Sequence, residues 1–386
     1  MSYPYEWSFA ALKAAALLHL EVQLRALRKD VALTDASAYN VQFDGPKPIF
    51  IDSLSFRRYE DGEFWDGHRQ FCEQFINPLL LRAVLGVPHN AWYRGSLEGI
   101  TAGELSQVLP WRSRLSWNTM TNVFMQARFQ RSASTSEKAL ETIRTKKLPK
   151  PGFEQMLRGL HRWIAGMEAR IDGESVWQDY AQDNSYADEE ASQKRQFVAD
   201  FVAATKPGLM FDLGCNTGDY SALALKSGAQ RAIGFDFDHG ALDYAYDRAR
   251  RESLNFLPLH LDAANPSPEQ GWLQAERHGL ARRARGDAVL VLALVHHLVI
   301  ARNIPLDGVL DWIMGMAPRG VIEFVPKADP MVQRLLQLRD DLFDDYEQEN
   351  FESLLAARGH IVKSRVVSSS GRTLYHYERH EELHRR

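Results

Sequence analysis

Apolar residues recur every three or four positions through FAALKAAALLHLEVQLRAL, residues 9–27, and predict an amphipathic helix. Lys13, His19, Glu21 and Arg25 interrupt the stretch, which excludes the run of about 20 nearly uncharged residues that a membrane span needs. The same period marks GHRQFCEQFINPLLLRAVLG, closed by Gly86, and GFEQMLRGLHRWIAGMEARI, which follows Pro151. Between helices, YNVQFDGPKPIFIDS sets two β-rich runs either side of Asp44-Gly45-Pro46 and predicts a hairpin. ASTSEKALETIRTKKLPKP is polar, basic and closed by proline, and reads as a surface segment.

Past Asp188-Glu189-Glu190 the texture changes to apolar strands alternating with helices, the pattern of βαβ units. The strands are GLMFDLG, RAIGFDFD, LNFLPLHLD, DAVLVLALV, GVIEFVP, GHIVKSRVV and RTLYHYER, the last two joined around Ser369-Ser370-Gly371. The fold class that follows is α/β: a Rossmann-like, doubly wound, seven-stranded sheet with an antiparallel edge, behind a mainly helical N-terminal domain containing a β-hairpin. The expected division is residues 1–175, a substrate or accessory domain, and residues 176–386, a ligand-binding domain.

Composition adds exclusions. At 386 residues and 45% hydrophobic, the chain can bury a core for two domains. A formal net charge of -4 with interleaved signs provides no sequence-wide cationic field, so no nucleic-acid partner is expected. Cys72 and Cys215 are the two cysteines and lie far apart, which fits a reducing compartment and excludes a cysteine zinc cage. MSYPYEW lacks the basic-then-apolar pattern of export, and a cytoplasmic location is the expectation.

The chemistry concentrates in LMFDLGCNTGDYS, residues 209–221. A strand ending at Asp212 and a turn hinged on Gly214 and Gly218 place free backbone N–H groups at the carboxyl edge of the sheet, where ligands bind. The run G-C-N-T-G-D is not the G-x-G-x-x-G of dinucleotide sites, and Asp219 would set a negative charge beside a pyrophosphate. Asp212 instead suits a cationic group, such as the α-ammonium of S-adenosylmethionine (SAM). Asp236, eighteen residues past Gly218, can accept both hydroxyls of a ribose, and Asp262 is placed to accept from an adenine amino group.

With these motifs in order, residues 180–383 resemble the bacterial class I SAM-dependent methyltransferases: DLGCNTG looks like their first motif, IGFDFD their second, LDAA their third and DAVLVLALVHHL their fourth. The resemblance implies SAM as cofactor, held by Asp212, Gly214, Asn216, Gly218, Asp236, Phe237, Asp262 and Ala263. Tyr186 joins them from NSYADEEASQK, similar to a segment that covers SAM in some of these enzymes. Asn216 departs from the middle glycine of many members, although asparagine tolerates left-handed backbone. The structural reading is that the three aspartates only cap the helices that follow them.

His296 and His297 follow the fourth strand, where the methyl should emerge, and one of them is the candidate general base. Packing or helix-start roles compete with that. The Asn/Asp-Pro-Pro-aromatic motif of amino-methylating DNA and glutamine enzymes is absent. The acceptor implied is a hydroxyl or amine of a small molecule or glycan-type metabolite, with oligomeric state open. Two other readings stand beside this one: a nicotinamide-dependent oxidoreductase on a related sheet, and a non-catalytic protein retaining a SAM-shaped pocket.

Three lesser features remain. RDDLFDDYEQENFE reads as a solvated helix face rather than a metal site, and no metal is expected. Met314 and Met316 read as core. Asp35 and Asn40 in TDASAYN, with Asp52 beyond, resemble the catalytic and metal-binding pair of kinase-like phosphotransferases, but no Gly-rich loop or strand lysine precedes them; recognition or structure is the expected role.

Overall fold

The computed structural model describes residues 1–133, 147–170, 188–337 and 340–381. The chain divides into two compact units, Met1–Gly173 and Glu174–Arg386.

In the N-terminal unit the first helix runs Phe9–Leu27, started by Ser8, whose hydroxyl accepts from the Ala11 N–H at 3.2 Å. It packs against the helix Lys150–Ala165, which begins with Pro151 in its first turn, where a missing N–H costs nothing. Four short strands, β1 (Val31–Leu33), β2 (Val41–Asp44), β3 (Lys47–Phe50) and β4 (Phe56–Arg58), form two antiparallel pairs, β1 with β4 and β2 with β3. The β2–β3 pair is the hairpin read from Asp44-Gly45-Pro46. From His68 to Leu85 the chain is helical and stops at Gly86, whose φ of 71° is left-handed. A π turn at Cys72–Ile76 interrupts it: the Asn77 N–H bonds the Cys72 carbonyl, five residues back, just before Pro78 removes the next donor.

The centre of this unit is aromatic. His19 is wholly buried, with ring centroids of Phe50, Phe71 and Phe75 at 5.7, 5.6 and 5.8 Å and Trp65 stacked at 6.2 Å. Neither ring nitrogen has a hydrogen-bond partner, and burial pushes the imidazole down to about 3, so the ring is neutral core.

The second unit carries one seven-stranded sheet. Its strands are β5 (Leu209–Leu213), β6 (Arg231–Asp236), β7 (Phe256–His260), β8 (Ala288–Val291), β9 (Arg319–Phe324), β10 (Gly359–Val366) and β11 (Thr373–Arg379). The order is β10-β11-β9-β8-β5-β6-β7, with β11 antiparallel to both neighbours and the other pairs parallel. This is the doubly wound sheet with an antiparallel edge that the alternation predicted. Near-continuous apolar runs such as Ala288–Val291 are buried throughout because helices cover both faces. Chain order reverses on either side of β5, between β6 and β8, so the crevice for a ligand opens at the carboxyl ends of β5 and β8.

Residues 340–347 of the acidic run are irregular, and the helix is confined to Gln348–Ala356, unlike the helix face expected. Asp341 bonds the Phe343 N–H and pairs with Lys327 at 3.0 Å, a local turn that competes with helix. Met314 and Met316 are core, as read.

Candidate functional site

The turn after β5 is built by left-handed backbone and pinned by the neighbouring strand. Gly214, Asn216 and Gly218 have φ of 79°, 47° and 79°. The N–H groups of Gly214 and Cys215 both donate to the Phe235 carbonyl, at 2.8 and 3.0 Å. The Asn216 amide oxygen accepts from the Thr217 N–H at 2.7 Å, a local bond that suits asparagine to this conformation.

The space at the two glycines differs. A Cβ on Gly218 would lie 2.5 Å from the buried Phe256 ring, whereas one on Gly214 would meet its nearest atom at 3.8 Å. The packing of Phe256, from β7, therefore makes Gly218 the less tolerant of the two to an added side chain. Gly234 in β6 is equally constrained, with Cys215 and Phe256 atoms 2.7 Å from where its Cβ would be. An isolated glycine inside a strand is the available signal of such close approach.

Asp212 ends β5 almost completely buried, 2% exposed, and accepts from the Ser221 hydroxyl at 2.6 Å. Burial raises its carboxyl to about 6, against the pull of that hydrogen bond. Asp236 ends β6 and faces the turn: one oxygen accepts from the Asn216 N–H at 2.8 Å, the other from the Asp238 N–H at 2.9 Å. Its carboxyl is also raised by burial. Asp262 lies just beyond β7; it accepts from the Ala264 N–H at 3.0 Å and pairs with Arg302 at 3.0 Å. Each carboxylate oxygen has two lone-pair sites, so these bonds leave acceptor capacity on all three aspartates. Phe237, 60% exposed, presents an apolar ring beside Asp236, and Ala263 is half-buried next to Asp262. Tyr186 lies outside the described residues.

His296 and His297 follow β8, their rings 4.2 Å apart. His296 is 1% exposed, and neither of its nitrogens has a hydrogen-bond partner. Its imidazole is held well below the ordinary range by burial first, then by neighbouring His297 and Arg372. Burial also lowers His297, which remains half-buried. Burial thus favours the neutral form of both rings and disfavours a protonated His296 most.

Two ion pairs that sequence reasoning missed frame this edge. Lys194 and Glu323 meet at 2.6 Å, both buried, and Glu323 also accepts from the Ala293 N–H at 2.8 Å. Ala293 has φ of 52° without being glycine, so Glu323 pins the strained bend that leads from β8 to the histidines. A lone glutamate inside the apolar strand GVIEFV was the legible signal. Arg372 grips Asp329 with two bonds, 2.7 and 2.9 Å, tying the β10–β11 turn to the loop after β9.

Asp35 and Asp52 are engaged in local turns. Asp35 accepts from the Ser37 N–H at 2.6 Å, and Asp52 is held below the usual carboxylate range by the Ser55 hydroxyl and the Leu54 N–H. Among the described residues, no group of three or more His, Cys, Asp or Glu side chains is arranged to hold a metal ion, and no helix is long and apolar enough to cross a membrane.

The sheet and its strand order make the C-terminal unit a Rossmann-like, doubly wound seven-stranded fold with one antiparallel strand. The chain is 50% identical over 382 residues to nodulation protein NoeA of Rhizobium meliloti (strain 1021), spanning 99% of this chain and 80% of that protein, and it belongs to the NoeA family. No family model matches it. Similar solved structures include magnesium protoporphyrin IX methyltransferase ChlM of Synechocystis PCC 6803 with bound S-adenosylhomocysteine, at 16% identity and TM-score 0.36 over 58% of this chain and 95% of that one. Another is the N-methyltransferase NodS of Bradyrhizobium japonicum WM9, at 13% identity and TM-score 0.37 over 50% and 98%.

Proposed function

We propose that the chain is a SAM-dependent methyltransferase acting on a hydroxyl or amine of a small-molecule or glycan-type acceptor, in the nodulation process for which its relative NoeA is named. The observation that carries this reading is the gathering of Asp212, Asp236 and Asp262 at the carboxyl ends of three adjacent parallel strands, around a left-handed glycine turn. The residues fit the cofactor. Asp212 is a buried carboxylate with its proton affinity raised, the state that a bound ammonium would relieve. Asp236 and Asp262 retain acceptor sites for ribose hydroxyls and an adenine amino group, with Phe237 as an apolar wall.

When bound, SAM supplies an electrophilic methyl on a sulfonium. The chain's own contribution is alignment and exclusion of water at the β5–β8 edge. His297, neutral and half-buried, takes the proton released by the acceptor, and the deeply buried His296 lies beside it. Because burial lowers both imidazoles, the rise of rate with pH falls on the acid side of the ordinary histidine range and is complete by neutrality.

Titration calorimetry with SAM, S-adenosylhomocysteine and NADH tests the reading. The first two are expected to bind and NADH not. Asp236→Ala should lose affinity by tenfold or more while the protein remains folded, since each charge-assisted bond contributes roughly 1.5–3 kcal/mol. Binding of NADH alone would turn the reading to an oxidoreductase. SAM binding without transfer to any fraction of cell extract would leave a non-catalytic pocket.

A further inference from the structure

One patch of the N-terminal unit combines arginines with exposed apolar side chains. Between Leu105 and Ala133 the chain has four arginines, Arg112, Arg114, Arg128 and Arg131, and no aspartate or glutamate, within a protein of net charge -4. The nearest preceding acid, Glu104, is folded back on Thr101 in a capping box, its carboxylate accepting from the Thr101 N–H at 3.2 Å and from the Thr101 hydroxyl at 2.7 Å. The same stretch exposes large apolar side chains: Trp111 is 68% exposed, Leu115 78% and Trp117 77%, with Val108, Met125 and Phe129 also open to solvent. The short helices carrying them, Ala102–Val108, Trp111–Leu115, Trp117–Thr119, Met120–Met125 and Gln126–Ala133, pack on one another as one cluster. Arginine and ring are interleaved: Arg112 stands over Trp111 at 5.7 Å and Arg114 over Phe124 at 4.9 Å.

We propose that this patch, centred on Trp111, Leu115 and Trp117, docks the protein on a lipid bilayer surface bearing anionic headgroups. Indole rings prefer the boundary between acyl chains and headgroups, and arginine can lay its stem along apolar surface while its guanidinium meets phosphate. The positive charges of Arg112, Arg114 and Arg128 give the electrostatic half of the attraction. A single-stranded nucleic acid would use the arginines and the tryptophans, but its bases stack on aromatic rings and leave Val108, Leu115 and Met125 uncovered. A bilayer takes aliphatic and aromatic side chains alike, so the composition of the patch favours lipid.

Co-sedimentation of the full chain with phosphatidylcholine vesicles, alone and with about 30% phosphatidylglycerol, is the test, because the surface potential scales with anionic lipid. Binding is expected to the mixed vesicles, weak to the neutral ones, and to fall with added salt. Trp111→Ser with Trp117→Ser, and separately Arg112→Gln with Arg114→Gln, should each lower it tenfold or more. Arg112→Lys with Arg114→Lys should retain most of it. Quenching of tryptophan fluorescence by brominated lipid gives the same answer from the unaltered chain. Equal partition of wild type and both loss variants, or absence of quenching, would overturn the proposal. So would binding to a single-stranded RNA oligonucleotide that is lost in the same variants while vesicles are ignored.

Discussion

Replacing Asp212 by asparagine should make the protein more stable and unable to hold SAM. The carboxyl is 2% exposed and is raised from 3.8 to about 6, with burial as the largest cause. A raised folded pKa means that the folded state holds the proton more tightly. The stability this confers is fully present below 3.8 and is lost as pH rises through about 6. The rise from 3.8 to about 6 sets the neutral-pH cost of this buried charge at about 3 kcal/mol. Asparagine keeps an oxygen for the Ser221 hydroxyl and carries no charge, so Asp212→Asn should gain up to that amount at pH 7 and little at pH 4. The ligand follows the opposite sign. An ammonium needs the ionised carboxylate, of which roughly one tenth remains at pH 5, so the wild-type dissociation constant for SAM should rise roughly tenfold between pH 7 and pH 5. Urea denaturation at the two pH extremes and calorimetric titration with SAM read both effects. An asparagine variant no more stable than wild type at pH 7, with SAM affinity intact, would refute the placement of a cationic group at Asp212.

Other outcomes are as specific. His19→Phe should flatten the acid side of the stability profile: an imidazole lowered to about 3 contributes stability present above its ordinary 6.5 and lost as pH falls, about 2 kcal/mol by pH 5, and an unchanged profile in denaturation experiments would place the titration elsewhere. Lys194→Met should destabilise by roughly 3–5 kcal/mol because Glu323 keeps a buried charge, and adding Glu323→Gln should recover part of that; a double variant worse than the single would contradict the pairing. Gly218→Ala should lower the melting temperature more than Gly214→Ala, since its Cβ meets the Phe256 ring at 2.5 Å, and the reverse order in thermal denaturation would rule out this packing.

The class of fold and the placing of its motifs were legible along the chain because they rest on local rules. Alternation of apolar strands with helices located the seven strands, and the turn residues marked the hairpins at Gly45 and Gly371. Asp212 and Asp236 could be read as strand-end residues from sequence distance alone, because a parallel sheet brings all carboxyl ends to one edge. Tertiary structure decided what depends on contacts between distant segments. Lys194 and Glu323 are 129 residues apart, Asp329 and Arg372 are 43 apart, and nothing in either local sequence names its partner. The same holds for Gly218, whose intolerance of a side chain comes from a phenylalanine on another strand, and for His19, a polar residue that only the closing of four aromatic rings turns into core. Periodicity records which face of an element is buried; which side chains meet there, and how far burial shifts a carboxyl or an imidazole, is fixed only when the packed elements exclude water.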